Sequence, residues 1–131
     1  MIVIDASVLA NVVGDDGDDG DRARRALRDT SGIAAPDLVD VETVAVLRKR
    51  WLAATMTDER FAAAVGDLRQ IDVERVPTLR FMGRAYELRA NVTAYDATYV
   101  ALAELLGCAL WTADERLALA PGPRCAFKVL R

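Results

Sequence analysis

Hydrophobic positions change period along this chain, and each change marks an element. Residues 2–5, IVID, form a short apolar, β-branched run that reads as a buried strand ending at Asp5. ASVLANVV then carries apolar residues at helical spacing, with Ser7 near a plausible N-terminus. GDDGDDGD (14–21) breaks the pattern, and DRARRALRD resumes as a polar helix whose Asp21 favours the positive end of the helix dipole. Ile33-Ala34-Ala35 suggests a second strand, and Pro36-Asp37 a helix start with Asp37 as N-cap. Leu38, Val41, Ala45, Leu47 and Leu52 predict a long helix to about Ala54, and Thr57-Asp58 opens another that runs to about Gln70.

The second half repeats this alternation. IDVERV is a short strand before Pro77, and TLRFMGRAYELRA a helix. TAYDATYVALAELLG is a capped helix closed by Gly107. CALWT is a strand leading to Asp114, ADERLALA a short helix and AFKVL a last strand. Strands separated by helices predict an α/β fold whose central parallel sheet is flanked by helices. Residues 1–131 suit a single domain, without repeat, linker or low-complexity tail.

Composition narrows the chemistry. With 53% hydrophobic residues the chain can bury a real core. A net charge of −3 offers no global positive field for nucleic acid, so any phosphate handling must be local or use metal ions. There is no histidine, which removes the commonest general base, the commonest nitrogen ligand and every Ser-His-Asp scheme. Two cysteines, Cys108 and Cys125, are too few for a structural zinc site, and Cys108 reads as a small buried residue. The start lacks the pattern of a signal peptide, and no segment approaches a membrane span; the expectation is a soluble, cytoplasmic protein.

In an open parallel sheet, ligands gather at the carboxyl ends of the strands. Asp5 and Asp114 fall at such ends, Asp96 near the start of the YDATYVALAELLG helix, and Glu42 one turn inside the Leu38 helix. Taken singly, Asp96 reads as an N-cap, Asp5 and Asp114 as turn residues, and Glu42 as a half-exposed helical residue. Together they would repel one another at one sheet edge unless divalent cations neutralised them. An all-oxygen donor set selects Mg²⁺ or Mn²⁺. Two such ions about 3.5–4 Å apart can activate water and stabilise the leaving oxygen of a phosphoryl displacement without histidine.

VIDASVLAN (3–11), APDLVDVETVAVLRKR (35–50) and YDATYVALAELLGCALWTADERLA (95–118) resemble the PIN-domain ribonucleases, specifically the VapC-type toxins of bacterial toxin–antitoxin pairs. The resemblance runs in order along nearly the whole chain. It implies a PIN-like three-layer fold with an acidic pocket, and places the family's four acids on Asp5, Glu42, Asp96 and Asp114 as catalytic and metal-binding residues. Ser7 and Thr112 match hydroxyl positions that help hold the metal, its water or a neighbouring carboxylate. The implied activity is Mg²⁺- or Mn²⁺-dependent RNA cleavage leaving a 5′-phosphate and a 3′-hydroxyl. The implied partners are an RNA substrate, a cognate VapB-type antitoxin and a second copy in a homodimer, with no membrane. Asp40 and Glu115 lie beside motif acids; on a helix Asp40 and Glu42 point about 200° apart, so only one can face the pocket, and the spacing favours Glu42.

Arg116, and the helix carrying Arg22, Arg24, Arg25 and Arg28, are candidate RNA contacts, the latter also a plain solvated face. Trp51, Tyr95, Tyr99 and Trp111 could stack bases, although Tyr99 and Trp111 lie in segments that look like core or dimer contact. Alternatives are a PIN-fold housekeeping ribonuclease, a haloacid-dehalogenase-like phosphatase, a receiver domain and a non-catalytic binding module. The phosphatase would want an acid where Ser7 stands. The receiver would want an acidic neighbour for Asp5 and a late strand-end lysine, whereas Lys128 lies inside the last strand. The glycines of GDDGDDGD and the absence of a closing glutamate argue against a calcium loop and for a solvated, mobile connection.

Overall fold

A computed structural model describes residues 1–131. The first strand, β1 (Ile2–Ile4), is the middle of a five-stranded sheet, which suits its fully buried Val3 and Ile4. β2 (Ile33–Pro36) and β3 (Glu74–Val76) extend the sheet on one side, β4 (Leu110–Thr112) and β5 (Phe127–Val129) on the other. Every neighbouring pair is parallel, and the order is β3-β2-β1-β4-β5. Strand order therefore reverses between β1 and β4. A crevice opens beyond the carboxyl ends of strands at such a switch point.

Helices cover the sheet in the predicted three-layer arrangement. α1 (Ala6–Gly14) follows β1 directly and packs against α2 (Asp18–Arg28), α3 (Val39–Leu52) and α4 (Asp58–Gln70). A single 3-10 turn, Leu79–Phe81, leads into the short α5 (Met82–Glu87), which packs on α6 (Ala94–Leu106). α6 lies across β1, β2 and β4, and α7 (Glu115–Leu119) sits beside β4 and β5. No helix is long and apolar enough to cross a membrane. α6 ends on Gly107 at φ 64°, in the left-handed region where glycine costs least.

Several boundaries differ from the periodicity. The segment Thr78–Ala90 is a 3-10 turn and a one-and-a-half-turn helix, not one continuous helix, and only Glu74–Val76 of IDVERV joins the sheet. Asp37 is not a cap: its N–H donates to the Val76 carbonyl across the sheet, and α3 starts from Leu38 without a side-chain cap. α3 buries Val39, Thr43 and Leu47, while Val41 and Leu52 are exposed. The helix is apolar on more than one side because one face meets the core and another lines surface grooves.

The largest correction concerns GDDGDDGD. α2 begins at Asp18, not Asp21, so the loop shrinks to residues 15–17 and most of the acidic run is helix. Asp18, Asp19 and Asp21 occupy its first turn, where the helix dipole favours negative charge. Asp16 pairs with Arg60 at 2.9 Å, which holds its carboxyl below the usual carboxylate range. Gly20 is buried against the Asp15 carbonyl; a Cβ there would lie 1.9 Å from that oxygen.

Beside this junction, arginines from three helices converge on the carboxyl end of α1. Arg24 donates to the carbonyls of Asn11, Val12 and Asp15. Arg60 donates to Val13, and Arg50 to Ala10 and to the Asn11 side chain. Carbonyls that a helix end leaves unpaired are thus satisfied by cations, which also suit the negative end of its dipole.

Two substitutions test this packing in opposite directions. Gly20→Ala should lower unfolding free energy by about 2 kcal/mol or more, because the obstacle is backbone and cannot swing aside. Thr43 has a fully buried hydroxyl without a hydrogen-bond partner. Thr43→Val keeps the branched shape and should raise stability by about 1 kcal/mol. Urea denaturation followed by circular dichroism reads both, and a neutral Gly20→Ala or a destabilising Thr43→Val would contradict this account.

Candidate active site

Asp5 is the first residue past β1 and the N-cap of α1, so strand and helix together fix its backbone. Its carboxylate is 5% exposed and accepts from the Ser7 hydroxyl at 2.5 Å and the Val8 N–H at 3.2 Å. Burial raises its pKa, and hydrogen bonds from Ser7, Thr112 and backbone N–H groups of Ser7 and Val8 oppose the rise. Ser7 also accepts from the Ala113 N–H at 2.9 Å, and Thr112 Oγ1 accepts from the Asp114 N–H at 3.0 Å. These two hydroxyls sew the end of β1 to the end of β4. Of the roles the resemblance implies for them, the structure places both hydroxyls against the Asp5 carboxylate.

Asp114 caps α7, accepting from the Arg116 N–H at 2.9 Å, and remains exposed at the pocket rim. Asp96 is not the cap of α6. Thr93 takes that role, accepting from the Asp96 N–H, and Asp96 sits in the first turn with its carboxylate on the pocket wall. Glu42 reaches the same pocket from α3, and the Tyr99 hydroxyl donates to its Oε1 at 2.7 Å.

Asp5, Ser7, Glu42, Asp96 and Asp114 line one pocket of about 370 Å³, together with Tyr99 and three α3 residues, Ala45, Val46 and Lys49. Asp96 is pushed up to about 6 by burial first, then by the charges of Asp5, Glu42 and Asp114. Burial raises Glu42 as well, opposed by the Tyr99 hydrogen bond and reinforced by Asp5. That mutual repulsion is the electrostatic sign that all four acids share one space. No three of them stand close enough to make a ready-formed cage for an ion. They ring an open pocket instead. The donor set, carboxylates and hydroxyls without imidazole, fits a hard divalent cation.

Neighbouring acids are engaged elsewhere. Asp40 makes a two-pronged pair with Arg75 at 2.9 and 3.1 Å, and Glu115 pairs with Arg131 at 2.6 Å. Among the candidate RNA contacts, Arg116 is exposed beside the rim but does not line the pocket. Arg24 is committed to the α1 carbonyls and Arg22 pairs with Asp19, which leaves Arg25 and Arg28 unpaired on that face. Trp111 is buried with the Lys128 ammonium 4.3 Å from its ring centre, and Trp51 donates to Asp58 and tilts against Phe61. Tyr95 is 65% exposed next to Asp96, the most exposed of the four candidate aromatics.

Two pocket roles are missing from the sequence reading. Tyr99, expected as a base-stacking aromatic or a core or dimer-contact residue, is buried, but its hydroxyl serves Glu42, and burial with that hydrogen bond raises its pKa. Lys49 was not singled out. Spacing carried a signal for both: Tyr99 is one turn beyond Asp96 on α6, and Lys49 two turns beyond Glu42 on α3.

The repulsion has a measurable consequence for the metal-free protein. Asp96 titrates near 6 when folded and near 3.8 when unfolded, so the folded state holds the extra proton between those values. Its contribution is complete below pH 4 and lost as pH rises through 6. Asp96→Asn should therefore stabilise the protein at pH 7.5 in chelator, by on the order of 1 kcal/mol after solvent screening, and hardly at all at pH 4. Urea unfolding at both pH values measures it; equal effects would contradict the shared-charge description.

The PIN domain family matches this chain over residues 2–123. Ribonuclease VapC1 of Mycobacterium tuberculosis strain H37Rv is 36% identical over 130 residues, covering 98% of this chain and 97% of the relative. Ribonuclease VapC9 of the same strain is 37% identical over 130 residues, covering 99% and 98%. Among solved structures, M. tuberculosis VapC20, described as a Sarcin-Ricin loop cleaving toxin, superposes with a TM-score of 0.69. Its identity is 20%, with 91% of this chain and 94% of that one covered, a likeness of fold. Pyrobaculum aerophilum PAE2754 gives a TM-score of 0.61 at 26% identity, over 90% and 82%. With a parallel sheet of this order, an acidic pocket at its switch point and this similarity along its length, the chain belongs to the PIN-domain family, among the VapC ribonucleases.

Proposed function

We propose that this chain is a Mg²⁺- or Mn²⁺-dependent endoribonuclease and the toxin of a toxin–antitoxin pair, with Asp5, Glu42, Asp96 and Asp114 as its working carboxylates. The observation that carries this reading is the meeting of four acids, distant in sequence, in one pocket of a chain so similar to VapC ribonucleases. All four acids would hold the ions. Divalent cations bound there supply Lewis-acid charge for activating water and for the leaving oxygen of a phosphodiester.

The chain's own residues set the stage. Ser7 and Thr112 hold the Asp5 carboxylate in the buried turn, while Tyr99 fixes one oxygen of Glu42 and leaves the other free. Asp96, pushed up to about 6 by burial and by the other three acids, is a group whose proton a bound cation would displace near and below that pH. The proposed site of action is the cytoplasm, where cellular RNA is available as substrate.

The proposed partners are a VapB-type antitoxin and a second copy of this chain. An open groove of about 600 Å³ between α3 and α4, lined by Val41, Val44, Val65 and Leu68, supports a protein partner. Exposed Tyr86 and Met82 on α5, with Leu105 and Leu106 on α6, give apolar surface that supports a homodimer.

Asp5→Asn and Asp96→Asn should each reduce cleavage at least about 100-fold, since even residues behind metal ligands cost 10–100-fold. Binding to the antitoxin should survive both changes. EDTA should abolish cleavage, and Mg²⁺ or Mn²⁺ restore it. The test is induction in cells without the antitoxin, mapping new RNA 5′ ends, then cleavage of the mapped RNA by purified protein. Full activity of Asp96→Asn protein would refute the assignment of the site; no RNA cleaved by the unaltered protein would refute the function.

A further inference from the structure

Lys49 is the one cationic side chain on the wall of the carboxylate pocket. It stands on α3 with Glu42, Ala45 and Val46, at positions i+7, i+3 and i+4 from Glu42, so these four residues form one face. Its ammonium makes no ion pair or hydrogen bond within the protein, although four acids share its pocket. Its neighbours on the helix differ: Arg50 is tied to Asn11, and Arg48 does not line the pocket.

Geometry assigns a direction. Seven residues separate Glu42 and Lys49 by about 10 Å along the helix axis. Helical side chains lean toward the N-terminus, so Lys49 leans back toward the acids. Ala45 and Val46 between them are small and uncharged, a floor that neither repels nor pairs with a phosphate. A polyanion whose scissile phosphate lies at the acids would run along this floor and bring a neighbouring phosphate to the ammonium. A protein with net charge −3 has no other cation on this wall to meet it.

We propose that Lys49 binds a backbone phosphate flanking the scissile one, and so sets the direction in which the RNA strand crosses the pocket. This rests on the ribonuclease reading of the same pocket. The contact is one of substrate binding, formed equally in ground and transition states, so its loss should appear in KM and leave kcat nearly unchanged. Because it is a phosphate contact, its removal should also weaken the dependence of kcat/KM on salt.

The test uses an oligonucleotide spanning the mapped cleavage site. Lys49→Ala should raise KM about tenfold and reduce the slope of log kcat/KM against log salt by about 0.7, the value for one phosphate contact on a single strand. Lys49→Arg should restore most of both, and Arg48→Ala should change neither. A neutral methylphosphonate is then placed at each phosphate around the cut in turn. At one flanking position it should weaken unaltered protein and have little further effect on Lys49→Ala. Equal effects of methylphosphonate on both proteins at every position would overturn the contact, reducing Lys49 to part of a general field. So would an unchanged KM and salt slope. Failure of the unaltered protein to cleave or bind the RNA would instead remove the ribonuclease reading, and this proposal with it.

Discussion

Like charges held together against their repulsion are the constraint on which this structure turns. Four carboxylates face one pocket, and the cost is visible in Asp96, which keeps its proton to about pH 6 under the combined effect of burial and the other three. Such an arrangement persists only if stronger interactions determine each backbone. Asp5 is fixed between a central strand and the helix that follows; Asp114 and Asp96 are fixed by helix starts. Stability supplied by the core is therefore used to hold a site that is unfavourable without cations.

α1 connects that site to the opposite end of the molecule. At its N-terminus Asp5 and Ser7 bind the β4 end; at its C-terminus Arg24, Arg50 and Arg60 gather its free carbonyls. Because those arginines come from α2, α3 and α4, the helix that carries Ser7 cannot shift without disturbing three others. Lys49 and Glu42 share α3 with Arg50, so the same clamp sets the height of the pocket's wall. The acidic run at residues 14–21 belongs to this clamp and not to the carboxylate pocket. Its aspartates start a helix, and Asp16 holds Arg60 in place.

Much of the site was legible because strand-end acids follow a rule of topology. Once 2–5 and 108–112 were strands of a parallel sheet, Asp5 and Asp114 had to fall at its carboxyl edge, and the helical angle separated Glu42 from Asp40. Local signals misled where another group took the expected role. Asp96 looked like a cap, but Thr93 three residues earlier does that work and frees the carboxylate. Asp37 looked like a cap, but the sheet claimed its N–H. The glycines of GDDGDDGD suggested a loop, yet Gly20 is there because a carbonyl approaches too closely for any side chain.

The sequence alone determined the α/β alternation and, having no histidine, the absence of histidine chemistry, since these depend on residue type and on period along the chain; Asp5, Glu42, Asp96 and Asp114 stood out in it only as candidates, through strand-end position and resemblance. Tertiary structure decided what depends on distance across it. It made Tyr99 a partner of Glu42, drew Asp40 and Glu115 into ion pairs away from the pocket, and left Lys49 unpaired on its wall. A carboxylate's work is set by which cation or donor comes within about 3 Å, and residues 57 or 35 positions apart reach that distance only through the packing of whole helices and strands.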